Sequence, residues 1–211
     1  MTYKLSVQQV RWIKLALFFL GLYPLARWFV LASYGGLTAN PTEFLTRSSG
    51  LWGLVCLVVT LLITPLRDWF DQPVLIRVRR MCGLFAFFYV ALHALAWAWW
   101  DRGLVASEMV SDVFTRPFVS VGMVCFLVLF AMALTSNQRA MRALGRRWKM
   151  LHRWVYLVAV LAVVHYWLHK AGKNDFSEVY VYGSIISVLL LWRVWRRFKP
   201  ETKIAPGNHS G

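Results

Sequence analysis

Apolar residues come in six long runs, separated by short stretches rich in arginine, lysine, glycine and proline. The runs cover about 15–33, 50–66, 81–100, 117–135, 151–168 and 179–195. Each is near the ~20 residues that a helix rising 1.5 Å per residue needs to cross ~30 Å of hydrocarbon. The pattern predicts an all-α polytopic membrane protein, a six-helix transmembrane bundle occupying the whole chain, 1–211, as one domain. Arg193 interrupts the last run, which a short span accommodates by tilting little or by letting the guanidinium snorkel to the interface. The first run follows Lys4, Arg11 and Lys14, as in a secretory signal. Its length, the lack of a small-x-small cleavage site and the further runs behind it read as a retained helix.

The residues between the runs give the orientation. Lys4, Arg11 and Lys14, then Arg67, Arg77, Arg79 and Arg80, then the cluster from Arg139 to Arg153, and finally Arg193 to Lys203 fall on one side. The other side holds only Arg47, Arg102, Arg116, Lys170 and Lys173, and Arg27 stands within the first span. Because positive loops stay on the cytoplasmic side, both termini are expected there. Trp97, Trp99 and Trp100 close the third span, Trp148 and Trp154 open the fifth, and Trp192 and Trp195 close the sixth, as aromatic belts do. Thr115-Arg116-Pro117 reads as a helix start, with the proline where no N–H donor is needed.

Composition agrees with a membrane class, at 59% hydrophobic residues and mean hydropathy +0.52. A net charge of +15 would also suit a nucleic-acid binder, but the cations cluster between apolar runs instead of forming a stripe on a folded surface, so no nucleic-acid partner is expected. Cys56, Cys82 and Cys125 all lie inside apolar runs, as small buried hydrophobes with no disulfide framework. No internal repeat is evident, no stretch between spans is long enough for a folded domain, and neither G-x-G-x-x-G nor a P-loop occurs. Nicotinamide chemistry would fall to another protein.

Ionisable residues inside a bilayer are costly and therefore candidates for function. His93 lies about 18 Å along the third span and His165 about 21 Å along the fifth, so both sit at nearly the same depth in the outer half. Two neutral imidazoles facing each other across a bundle form the axial pair of a b-type haem. The alternative for each is a helix-packing histidine bonded to its neighbours, which matched depth on two spans disfavours. Ala86, Ala96 and Ala162 stand at helical spacing from the pair and leave room for a flat ring.

His152 begins the fifth span about 20 Å from His165 and is a third candidate ligand at the cytoplasmic end. Thirteen residues turn an ideal helix through about 220°, so the two rings do not share one face unless the helix is distorted or the haems lie on different sides. On the third span the matching level carries Arg79, with Arg77 and Arg80 beside it. Arginine seldom ligates iron but pairs well with a propionate or phosphate. Arg27, about 18 Å into the first span, either pairs with a propionate or snorkels outward. His169 shares a face with His165 and reads as an interfacial bystander or spare ligand. His209 lies in a polar tail.

The stretches Leu61-Leu62-Ile63-Thr64-Pro65-Leu66, Ile76-Arg77-Val78-Arg79-Arg80 running through Gly83-Leu84 to Leu92-His93, Thr115-Arg116-Pro117, and Leu144-Gly145-Arg146-Arg147-Trp148 running to Leu151-His152 and His165-Tyr166 together resemble the ferric-reductase-like transmembrane family. The similarity covers essentially the whole chain. It implies a haem b electron-transfer subunit of the bacterial inner membrane, with lipid around it. Electrons would come from a cytoplasmic flavin reductase, through bound FMN or with quinone as a substitute donor. They would pass to a periplasmic molybdenum-cofactor (molybdopterin-containing) subunit that reduces methionine sulfoxide in proteins. Substrate reduction is thus expected on a partner and not on this chain. Larger members of the family carry four histidines for two haems and a fused dehydrogenase domain. Here Arg79 stands where the fourth histidine is expected, which leaves the second haem open, and the missing domain calls for a separate donor.

A different class of function, a transporter that relays protons or metal through its histidines or a metal-binding scaffold without haem, is disfavoured because no Asp or Glu lies inside the spans.

Overall fold

The computed structural model describes residues 4–172 and 174–198, so Lys173, Lys199, Lys203 and His209 lie outside it. The described residues are helical throughout, without a strand, and six helical stretches are long and apolar enough to cross a membrane. The chain is a multi-pass membrane protein. Helices α1 and α2 begin well before their apolar runs, at side-chain caps.

Helix α1 (Val7–Ser33) starts at a capping box, in which Ser6 Oγ accepts from Gln9 N–H (3.2 Å) and the Gln9 side chain accepts from Ser6 N–H (2.8 Å). It therefore begins well before Leu15. Helix α2 (Pro41–Trp69) starts where Asn40 accepts from Glu43 N–H (3.2 Å) with Pro41 in the first turn. Its 29 residues reach about 43 Å, and the polar turns around Thr42, Glu43, Thr46 and Arg47 precede the expected start at Gly50.

A short 3₁₀ turn (Pro73–Leu75) leads into α3 (Ile76–Ala96), which ends in a π-helical turn, Trp97–Asp101. Helix α4 (Ala106–Thr115) had no signature in the apolar pattern. Its buried Asp112 is held by Arg102 (2.5 Å) and Arg116 (3.2 Å). Helix α5 (Pro117–Leu134) starts at the expected proline. Two short helices, α6 (Gln138–Leu144) and α7 (Arg146–Arg153), precede α8 (Val155–Ala171), and α9 (Ser177–Phe198) closes the bundle. The expected fifth span, 151–168, is thus not one helix but is broken at Trp154.

Helices α2 and α3 form one antiparallel hairpin and α5 and α8 a second; α9 packs on α8 and α2, and α1 on the flank of α3. Leu57, Leu61, Ala86, Leu129, Val158 and Ile186 fill the shared core. Large apolar side chains such as Phe19, Leu127 and Leu191 point outward, as lipid-facing surfaces require. Lipid tails are as apolar as leucine, so helix association rests on close packing and interhelical hydrogen bonds. The fully buried Tyr89 donates its hydroxyl to Gly21 O (2.5 Å), just before Pro24 in α1.

Leu5 N–H donates to Gln72 Oε1 (2.9 Å), and Asp68 pairs with Arg196 (2.8 Å). The start of α1, the α2–α3 turn and the end of α9 therefore share one end of the bundle. Most of the arginines lie at this basic end.

Candidate cofactor site

His93 on α3 and His165 on α8 face each other with ring centroids 6.0 Å apart and planes at 84°. His93 Nδ1 lies 2.8 Å from Thr46 O of α2, and His165 Nδ1 lies 2.7 Å from Phe118 O of α5. A carbonyl oxygen only accepts, so each Nδ1 carries the proton and donates it. Each Nε2 is left with an unprotonated lone pair, the form in which imidazole binds a metal. Two metal–nitrogen bonds of about 2 Å, with about 1 Å from each ring centre to its nitrogen, also sum to about 6 Å. Among the described residues no group of three or more His, Cys, Asp or Glu could hold an ion. The pair therefore suits a metal that brings its remaining ligands with it, as porphyrin iron does.

The two half-sites are built alike. In each, the histidine reaches a carbonyl 47 residues back along the chain, and a glycine follows that carbonyl residue by one helical turn, Gly50 after Thr46 and Gly122 after Phe118. A Cβ at Gly50 would stand 3.0 Å from His93 Nδ1, and one at Gly122 would stand 2.8 Å from His165 Cε1. The glycines let an imidazole lie directly on a helix backbone, a place no other residue leaves open. Thr46, Gly50 and His93 map onto Phe118, Gly122 and His165 with one constant offset. The α2–α3 and α5–α8 hairpins thus seat their histidines in the same way.

A cavity of about 870 Å³ surrounds the pair, within the usual range for cofactor sites. Its walls include both glycines and apolar groups such as Leu54, Phe126, Leu129 and Val158. Thr46 Oγ1 is buried there with no hydrogen-bond partner. Of the alanines expected to leave room, Ala162 lines the cavity and Ala86 is buried in the apolar core.

Arg27 also lines the cavity, its guanidinium 5.9 Å from the Phe44 ring centre. His169 lines it too, one turn beyond His165, with its ring 5.7 Å from that of Phe118. Nearby, Lys170 pairs with Asp175 (2.9 Å), and Tyr166 donates to Glu178, joining α8 to α9 at the end opposite the basic one.

At the basic end the predicted cluster divides. Arg79 is half-buried and within electrostatic range of His152, whereas Arg77 and Arg80 are exposed. His152 is half-buried at the α7–α8 break, stacked on Trp148 at 3.9 Å, with Nδ1 3.1 Å from Trp148 O and Nε2 3.5 Å from Ser136 Oγ. Of the two ways the last span was expected to accommodate Arg193, outward snorkelling is not the one seen. The guanidinium donates to Leu189 O (3.0 Å) and, across the bundle, to Leu61 O.

The chain matches the family described as ferric reductase like transmembrane component over residues 49–163, which includes His93 and ends two residues before His165. A protein of Bordetella parapertussis named protein-methionine-sulfoxide reductase heme-binding subunit MsrQ is 58% identical over 92% of this chain and 95% of its own length. The proteins of that name from Ralstonia nicotianae and Xanthomonas campestris are 47% and 42% identical, over 91% and 80% of this chain and 90% and 77% of their own. No solved structure matches the chain. With the family match spanning more than half the chain and a relative this similar along nearly all of it, the chain belongs to the ferric reductase like transmembrane family and, within it, to the MsrQ proteins.

Proposed function

We propose that this chain is a haem b membrane electron-transfer subunit of the bacterial inner membrane. It passes electrons from a cytoplasmic flavin reductase to a periplasmic, molybdenum-cofactor methionine sulfoxide reductase that repairs oxidised proteins. The observation that carries the reading is the pair His93 and His165, each tied through Nδ1 to a backbone carbonyl and both lining one cavity with ring centroids 6.0 Å apart. The names of the similar proteins support the heme and the methionine sulfoxide reductase.

Bound between these imidazoles, haem b supplies a one-electron carrier that needs no proton from the site. The Thr46 and Phe118 carbonyls hold the ligating tautomer and raise the basicity of each ring. The apolar walls keep water from the iron, and Arg27 pairs with a propionate at the cavity edge. At the basic end, cytoplasmic by the positive-inside rule, His152 with Arg77, Arg79 and Arg80 receives electrons through bound FMN or a second haem, with quinone as an alternative donor.

The visible spectrum of purified protein tests this reading. A Soret and α-band pattern that sharpens with dithionite is expected, and His93→Ala or His165→Ala should each abolish its low-spin form. A colourless protein, or an unaltered bis-histidine spectrum in both variants, contradicts it.

A further inference from the structure

Residues 136–153, between the end of α5 and the start of α8, carry Arg139, Arg142, Arg146, Arg147, Lys149 and Arg153 and no Asp or Glu. All these cations are exposed, and among the described residues no carboxylate pairs with any of them. Arg47, Arg67, Arg102, Arg116 and Arg196, by contrast, each have an acidic partner. The positive charge of α6 and α7 is therefore left unneutralised by the protein itself.

Helix α7 runs into α8 after a single residue, Trp154. Exposed Arg146, Met150 and Arg153 follow one another at spacings of four and three, which places them on one helix face. The same rhythm continues through Leu157, Val160 and Val164, the exposed apolar face of α8. One stripe thus changes from apolar to cationic without leaving its face, as a surface does where it passes from lipid tails to lipid headgroups. Within the cationic part Met150 is 64% exposed and Trp154 is 51% exposed. The other face of α7 is fixed to the bundle, because Trp148 stacks on His152 and donates its Nε1–H to Thr135 O (3.0 Å) at the end of α5. Its cations are accordingly held outward on a seated helix.

We propose that the outward face of α6 and α7 is a binding site for anionic phospholipid, in which Arg146 and Arg153, flanked by Arg147 and Lys149, engage the headgroup phosphate while Met150 and Leu157 lie against its acyl chains. Two features favour lipid over an acidic protein surface. The cationic stripe is continuous with a face that already meets acyl chains, and a soluble partner would leave Met150 and Trp154 against water. A net negative headgroup suits the site better than a zwitterionic one, whose ammonium offsets its phosphate. The site is independent of electron transfer and of haem.

The test uses the full-length protein in detergent, titrated with phosphatidylglycerol or with phosphatidylcholine of the same acyl chains, with bound lipid counted by native mass spectrometry. Wild type should favour phosphatidylglycerol by about tenfold or more, and the preference should shrink as salt is raised. Arg146→Gln/Arg153→Gln should lose most of the preference, and each single variant should lose part of it. Arg146→Lys/Arg153→Lys, which keeps the charge, should retain it. Arg11→Gln/Arg197→Gln, which removes two exposed cations from the same end but from other helices, should also retain it. The proposal is overturned if wild type binds both lipids alike. It is also overturned if the Arg11/Arg197 variant loses as much as the stripe variant, which would leave only the general charge of this end. Unchanged lipid preference in Arg146→Gln/Arg153→Gln, with weakened capture of a cytoplasmic flavin reductase, would overturn it in favour of an acidic protein partner.

Discussion

The imidazole planes of His93 and His165 cross at 84°, nearly perpendicular, because each ring is fixed by a carbonyl on a different neighbouring helix. Crossed axial planes act on different iron d orbitals and keep them close in energy. Ferric protein is therefore expected to give a strongly anisotropic low-spin EPR signal dominated by one high-g feature. A rhombic three-line spectrum would show the rings parallel and contradict the arrangement.

The glycines can be tested directly. Gly122→Ala puts a Cβ 2.8 Å from His165 Cε1, closer than real Cβ contacts allow, so the ring must tilt off its Phe118 carbonyl. Gly50→Ala, at 3.0 Å from His93 Nδ1, asks for a smaller shift. Both variants should insert normally and bind haem more weakly, with Gly122→Ala the more affected. Haem per chain after gel filtration measures the difference, and equal loading in both variants and wild type would count against the backbone seating of the rings.

Tyr89→Phe removes the fully buried hydroxyl that joins α3 to Gly21 O of α1. A loss of about 1 kcal/mol is expected, read as a lower thermal midpoint in detergent with an unchanged haem spectrum. A spectral change would mean that α1 bears on the site, not only on the bundle.

Orientation is open to reporter fusions. A fusion after Lys203 should be active only as a cytoplasmic reporter, since the arginine-rich end carries both the start of α1 and the end of α9. Periplasmic activity there would reverse the direction of electron flow argued above.

The histidine pair was legible in the sequence because depth in a straight helix is simple arithmetic, and His93 and His165 come out level by counting rise. Their partners were not legible, because a backbone carbonyl leaves no mark on residue identity. Thr46 moreover lies in the polar first turns of α2, outside the apolar run. Gly50 and Gly122 were the available signal, recognisable only once each is paired with its histidine at a common spacing. The inward turn of Arg193 was not legible for a related reason: what draws it is a carbonyl freed by Pro65, on a helix far away in sequence. The α7–α8 break left no trace in hydropathy, since Trp154 and Val155 continue the apolar run.

Building each half-site inside its own hairpin has a consequence for how the protein is made. The α2–α3 hairpin leaves the ribosome first with one imidazole already seated on its backbone, and the second imidazole comes only with α8. Neither hairpin alone offers more than one of the two proposed axial ligands, so on the haem reading six-coordinate iron would be available only to a chain whose second hairpin has inserted and met the first. Loading of the pigment would then be a late event in biogenesis, and its colour would report a correctly assembled membrane fold.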